Sequence, residues 1–121
     1  VIRKINLKDK FASFADTWSP KIVGEVNNFH VKMSKVLGDF VWHHHEDEDE
    51  LFLVVKGRLR IKLRDQEDVV LEPGEFAIIP HGVEHNPVAE EETHVLLFEP
   101  AGTLNTGNVQ NERTVANLKK I

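Results

Sequence analysis

The chain has 121 residues, 40% of them hydrophobic, a formal net charge of −5, and neither Cys nor Tyr. That is one domain's worth of sequence with enough apolar material for a core, and it excludes disulfides, thiolate ligands, cysteine nucleophiles and phenol chemistry. The acidic balance argues against a nucleic-acid surface, no apolar run approaches membrane-spanning length, and Val1 to Ile5 lack the pattern of a secretion signal, so a soluble, cytoplasmic protein is expected.

Asn6 is placed to cap a short helix, with Asp9 in its first turn where a negative group is favourable. Leu7, Phe11, Phe14, Ala15 and Trp18 then follow helical spacing, which predicts a helix over residues 6–18, stopped at Ser19-Pro20. Its aromatics are expected to pack in the core. A strand is expected from Ile22 to Val26, a turn at Asn27-Asn28, and a second strand where Phe29, Val31 and Met33 alternate with polar residues. Gly38-Asp39 reads as a turn. Phe40 to His45 and Leu51 to Val55 read as strands joined by the acidic connector Glu46 to Asp49. Arg58 to Arg64 alternates, with Leu59, Ile61 and Leu63 on one face and the basic residues on the wet one. Val69 to Leu71 and Phe76 to Ile79 follow, separated by Pro73-Gly74. A short strand, Val83 to Val88, a solvated connector, Glu90 to Glu92, and a last strand, Thr93 to Glu99, complete the pattern. Many short strands with closely spaced turns indicate an all-β sandwich or barrel. The reading is one domain over residues 1–121: the helix, a barrel core over 22–100, and a polar tail over 101–121 that ends in a helical turn or a frayed end.

The chemistry concentrates in two stretches. In an extended segment His43 and His45 share one face and His44 points the other way. Two imidazoles so placed can reach a common cation, and Glu50 returns beside them if Glu46 to Asp49 is a connector. Neutral imidazoles with one carboxylate suit iron, manganese, nickel, zinc or copper. Taken alone, His43 to Asp49 reads equally well as a solvated polar loop. The second stretch runs from Gly74 to His85. Pro80-His81-Gly82 makes a rigid turn, which positions the His85 that follows it.

The two stretches together resemble the motifs of the cupin superfamily. The first motif is matched by Gly38, His43, His45, Glu50 and Gly57, and the second by Gly74, Pro80, Gly82 and His85. Gly38 lies one residue closer to His43 than is usual, and Ala89 stands where the family often has Asn. The resemblance is to small single-domain cupins, some described as mannose-6-phosphate-isomerase-like, which is a likeness of fold and not of activity. It implies a double-stranded β-helix, the jelly-roll barrel, with one divalent metal ion inside it held by His43, His45, Glu50 and His85.

Around that set, His44 is expected at the outer surface or a subunit contact. His81 is expected at a turn tip or the barrel mouth. His94 shares a face with Leu96 and Phe98, and reads as a core histidine or a donor to a ligand. Four protein ligands leave one or two positions for a small molecule. The expected function is a small metal-dependent enzyme, of dioxygenase or isomerase type, acting on a small oxygenated metabolite. The alternatives are a non-catalytic binding or sensor domain and a structural domain. Metal affinity is expected to weaken below about pH 6, because imidazoles bind metals only when neutral. A homodimer is expected, since an open barrel edge needs covering.

Overall fold

The computed structural model describes residues 1–121, and strands dominate it. In chain order the elements are α1 (Leu7–Ala12), β1 (Lys21–Val26), β2 (Phe29–Asp39), β3 (Glu50–Lys56), β4 (Leu59–Leu63), β5 (Val69–Leu71), β6 (Phe76–Ile79), β7 (His85–Pro100) and β8 (Lys119–Lys120). The hydrogen-bonded path runs β5-β4-β7-β2-β1-β8, with β3 pairing both β6 and β7. The path does not close on itself, and the arrangement is a jelly roll.

β7 organises the sheet. Its first residues pair with β4, and its later ones lie between β2 and β3. One strand therefore replaces the two short ones expected from the sequence. Glu90 to Glu92, read there as a connector, continue it as exposed strand residues. The charges do not break the strand because they point into solvent, while β2 satisfies the backbone on either side of a bulge between Val36 and Gly38. The expected turn at Gly38-Asp39 is absorbed the same way: β2 runs through it, with Gly38 at φ +78°.

Side-chain alternation sets the inner face. Phe52, Val54, Leu59, Ile61, Val95 and Leu97 point inward and form the core with Val36, Leu71 and Ile79. Burying each such side chain contributes roughly 1.5–3 kcal/mol. Arg60 and Lys62 lie on the opposite face of β4, as its alternation predicts.

Two corrections concern the ends of the chain. The helix keeps its expected cap, Asn6 Oδ1 accepting from the Asp9 amide at 3.0 Å. It stops at Ala12, however, and does not reach Trp18. Phe11 stacks on His94, with ring centroids 4.5 Å apart, whereas Trp18 stacks on Phe40 at 4.7 Å. These two anchors hold the segment at separate places, and Trp18 takes a left-handed φ of 56°. Finally, the tail is neither a helical turn nor frayed: residues 119–120 add a parallel strand beside β1.

Candidate metal centre

His43 to His45 are extended but do not form a regular strand, which corrects the strand expected there. His43 makes one antiparallel bridge, to His85, through amide–carbonyl bonds of 3.0 and 2.9 Å. The carbonyl of His45 accepts from the Gly82 amide at 2.7 Å. Alternation nevertheless survives: His43 and His45 are buried, and His44 is half-exposed. Glu50 opens β3 on its inward parity, and His85 opens β7 directly after the Pro80–Gly82 turn.

These four side chains converge. His43, His45, Glu50 and His85 are all buried, and each offers a ligand atom within 4.8 Å of the others. Glu50 Oε1 lies 3.5 Å from His45 Nε2 and 3.4 Å from His85 Nε2. Ligand atoms about 2.0–2.2 Å from one ion stand roughly 3–4 Å apart, so these spacings fit a shared cation.

The hydrogen bonding fits it as well. His43 Nδ1 is 2.9 Å from the Val41 carbonyl, and His85 Nδ1 is 2.9 Å from the Val83 carbonyl. A carbonyl only accepts, so both Nδ1 atoms carry the proton and both Nε2 atoms present a lone pair. Buried polar atoms are normally hydrogen-bonded. Here His45 Nδ1 and Nε2, Glu50 Oε1 and His85 Nε2 are buried without a partner. A divalent cation would satisfy the imidazole lone pairs and the carboxylate oxygen together.

The charges agree with that role. Burial, with the charge of His85 adding to it, pushes His43 down to about 4, so its imidazole is neutral near pH 7. Burial alone would raise Glu50, but its contacts with His45, His85 and Glu99 outweigh this and hold it well below the usual carboxylate range. Glu99 moves the opposite way, pushed well above that range by burial and by the charge of Glu50. Of the two carboxylates, the one beside the imidazoles is therefore the more readily ionised.

A cavity of about 40 Å³ adjoins the cluster, bordered by His43 and Glu50. Trp18, Phe40, Phe52 and Leu97 form much of its apolar wall, and Glu99 and Asn105 are among its polar neighbours. Glu99 Oε1 is held by Lys32 Nζ at 2.7 Å, and both side chains are buried. Reading the sequence alone missed Trp18, Lys32, Glu99 and Asn105. Glu99 shares the parity of Val95 and Leu97, which was the available signal.

The four remaining histidines lie elsewhere, and His30, on β2, has its Nε2 3.7 Å from Glu25 Oε1. His44 Nε2 bonds to Glu46 and His81 Nδ1 to Asp49, both on the exposed rim. His94 lies on the outer face of β7, against Phe11 and Glu92. Neither His81 nor His94 borders the cavity. The inner face of β7 carries Val95, Leu97 and Glu99, so the face His94 shares with Leu96 and Phe98 is the outer one.

Comparison with known proteins places this geometry in context. A family model described as a cupin domain matches residues 31–99. An uncharacterized Bacillus subtilis protein, YdbB, is 38% identical over 79 residues, which is 65% of this chain and 64% of that protein. The match thus spans slightly less than two thirds of that relative's length. The crystal structure of a cupin-2 domain protein from Shewanella frigidimarina is 48% identical, with a TM-score of 0.77, over 79% of this chain and 93% of that one. The hydroquinone 1,2-dioxygenase PnpCD, solved with Cd2+ and 4-hydroxybenzonitrile, is 16% identical with a TM-score of 0.65, over 77% of this chain and 70% of that one. At that identity the likeness is one of fold.

Proposed function

The chain belongs to the cupin family, and from that premise we propose that His43, His45, Glu50 and His85 hold one divalent metal ion in a small enzyme of dioxygenase type. The observation that carries this reading is the convergence of buried ligand atoms from His43, His45, Glu50 and His85 within 4.8 Å of one another, with Glu50 Oε1, His85 Nε2 and the His45 nitrogens lacking hydrogen-bond partners. When bound, such an ion polarises an oxygen of a small molecule, and iron adds the redox capacity that dioxygen chemistry requires.

The chain's own residues supply the rest. Val41 and Val83 carbonyls fix the imidazole tautomers, and Glu50 brings the negative charge. Trp18, Phe40, Phe52 and Leu97 exclude water and favour an apolar body on the ligand. No arginine borders the cavity, and the nearby Lys32 is committed to Glu99 and the Thr103 carbonyl. A phosphate would find no free basic partner there. This supports oxidation of a small, neutral, partly apolar molecule over isomerisation of a sugar phosphate.

The test is oxygen uptake by protein loaded with ferrous iron, across small phenols, enediols and diketones. Uptake with at least one compound, lost in His45→Ala, is expected. One iron per chain with no uptake for any compound would count against catalysis. That result would favour a non-catalytic binding domain. The size of the cavity supports this second reading, because about 40 Å³ admits only a few water-sized groups unless Trp18 moves.

A further inference from the structure

We propose that the C-terminal segment around Gly107 and Asn108 is a positioning element for the histidine pair, and so a working part of the metal centre. This rests on the metal reading above and extends it to residues beyond the matched cupin segment, which ends at residue 99.

The argument starts from the backbone between the two histidines. His43 to His45 run outside any regular ladder, so each peptide group needs its own partner. His43 finds both of its partners on His85. The carbonyl of His45 finds the Gly82 amide. The residue between them is left to the tail. His44 N–H donates to Asn108 Oδ1 at 2.9 Å, and Asn108 N–H donates to the His44 carbonyl at 3.0 Å. This reciprocal pair fixes the orientation of the peptide from which both imidazoles project. Because the side chains alternate, a twist at His44 would turn His43 and His45 relative to each other.

Gly107 brings the tail close enough for this. Its φ is +56°, in the left-handed region that favours glycine. A Cβ there would run into the His44 carbonyl oxygen, 2.9 Å from its carbon and 3.1 Å from His43 Cδ2. The tail is itself anchored. Thr106 is fully buried and bonds the Val109 carbonyl and Thr114, while the Asn105 amide bonds the backbone of Arg113 and Val115. Arg113 ties the same segment to the Asp39 carbonyl at 3.1 Å. The clasp on His44 is therefore made by a braced structure.

Gly107→Ala, Asn108→Ala and Asn108→Asp separate positioning from simple cover. Asn108 is exposed, so its variants are expected to fold. Asn108→Asp keeps the acceptor that His44 N–H uses. Cobalt(II) affinity is measured by chelator competition, together with the visible ligand-field bands. In the metal-free protein, the imidazole NMR signals of His43 and His45 are followed. Asn108→Ala is expected to weaken cobalt binding about three- to tenfold, Gly107→Ala more than tenfold, as supporting residues around metal ligands do. Both should shift the bands and the imidazole signals, and Asn108→Asp should restore wild-type values to within about twofold. Wild-type affinity, bands and imidazole signals in Asn108→Ala and Gly107→Ala would overturn the proposal. If the wild-type protein takes up no cobalt, the metal reading fails, while the imidazole signals still decide whether the tail positions the histidines.

Discussion

Two sets of histidines share this molecule, and they differ in what surrounds them rather than in what they are. His44, His81 and His94 each bond a nearby carboxylate, from Glu46, Asp49 and Glu92, and those carboxylates lie in solvent. His43, His45 and His85 also have a carboxylate near them, but it is Glu50, buried with them and too small a partner for three rings. An exposed ion pair is satisfied by itself and by water, and contributes about 0–1 kcal/mol. A buried cluster with spare lone pairs is satisfied only when something else arrives. The convergence of buried ligand atoms that lack hydrogen-bond partners, more than the presence of histidine, distinguishes the candidate site from the polar rim.

The sharpest way to break this comparison is to truncate histidines from each set. His85→Ala should lower metal affinity by at least about a hundredfold, since it removes one of the four ligands while leaving the backbone bridge to His43 in place. His81→Ala and His94→Ala should leave affinity within about twofold. Competition titration against a chelator measures all three. Similar losses in both sets would erase the distinction.

Acid should separate the sets next. His43 has its folded pKa lowered to about 4, against an ordinary value of 6.5. Between those values the unfolded chain takes up a proton that the folded chain refuses. Stability from this group is therefore complete above about pH 6.5 and is lost as pH falls toward 4. The loss amounts to about 3 kcal/mol. Urea unfolding of the metal-free protein at pH 7 and pH 4.5 reads it, and His43→Gln should flatten the dependence. An unchanged pH dependence in that variant would show that His43 is not the group refusing the proton.

The smallest effect belongs to the rim. His94→Gln leaves the Phe11 contact partly intact and removes one contact with the exposed Glu92 carboxylate, so a change in stability below about 1 kcal/mol is expected. A larger loss would mean that the outer face of β7 depends on the His94 contacts with Phe11 and Glu92 more than this reading allows.

Much of the centre was legible from local sequence. The spacing of His43, His45 and Glu50, and the rigid turn before His85, place ligands by rules that act over a few residues. The bounds of β5 and β6 and the alternation of β4 were legible for the same reason. The inner face of β7 was not. Thr93 to Glu99 carries apolar residues on both sides, so a period of two cannot say which side is inside. Glu99 was hidden by being an acidic residue type, since the Lys32 partner that makes its burial tolerable lies 67 residues away in sequence. The tail was hidden more completely. Its polar, turn-rich composition is that of a solvated end, and its structure depends on His44, Asp39 and β1, which local patterning cannot identify as its partners.

The most direct test of the account is metal stoichiometry by elemental analysis, on protein purified without an affinity-tag metal and then equilibrated with equimolar divalent cation. One ion per chain is expected for the wild-type protein and for the variant lacking His81 and His94, with only trace metal in the variant lacking His45 and His85. Full occupancy retained without His45 and His85 would contradict the claim that these buried side chains meet around a single cation.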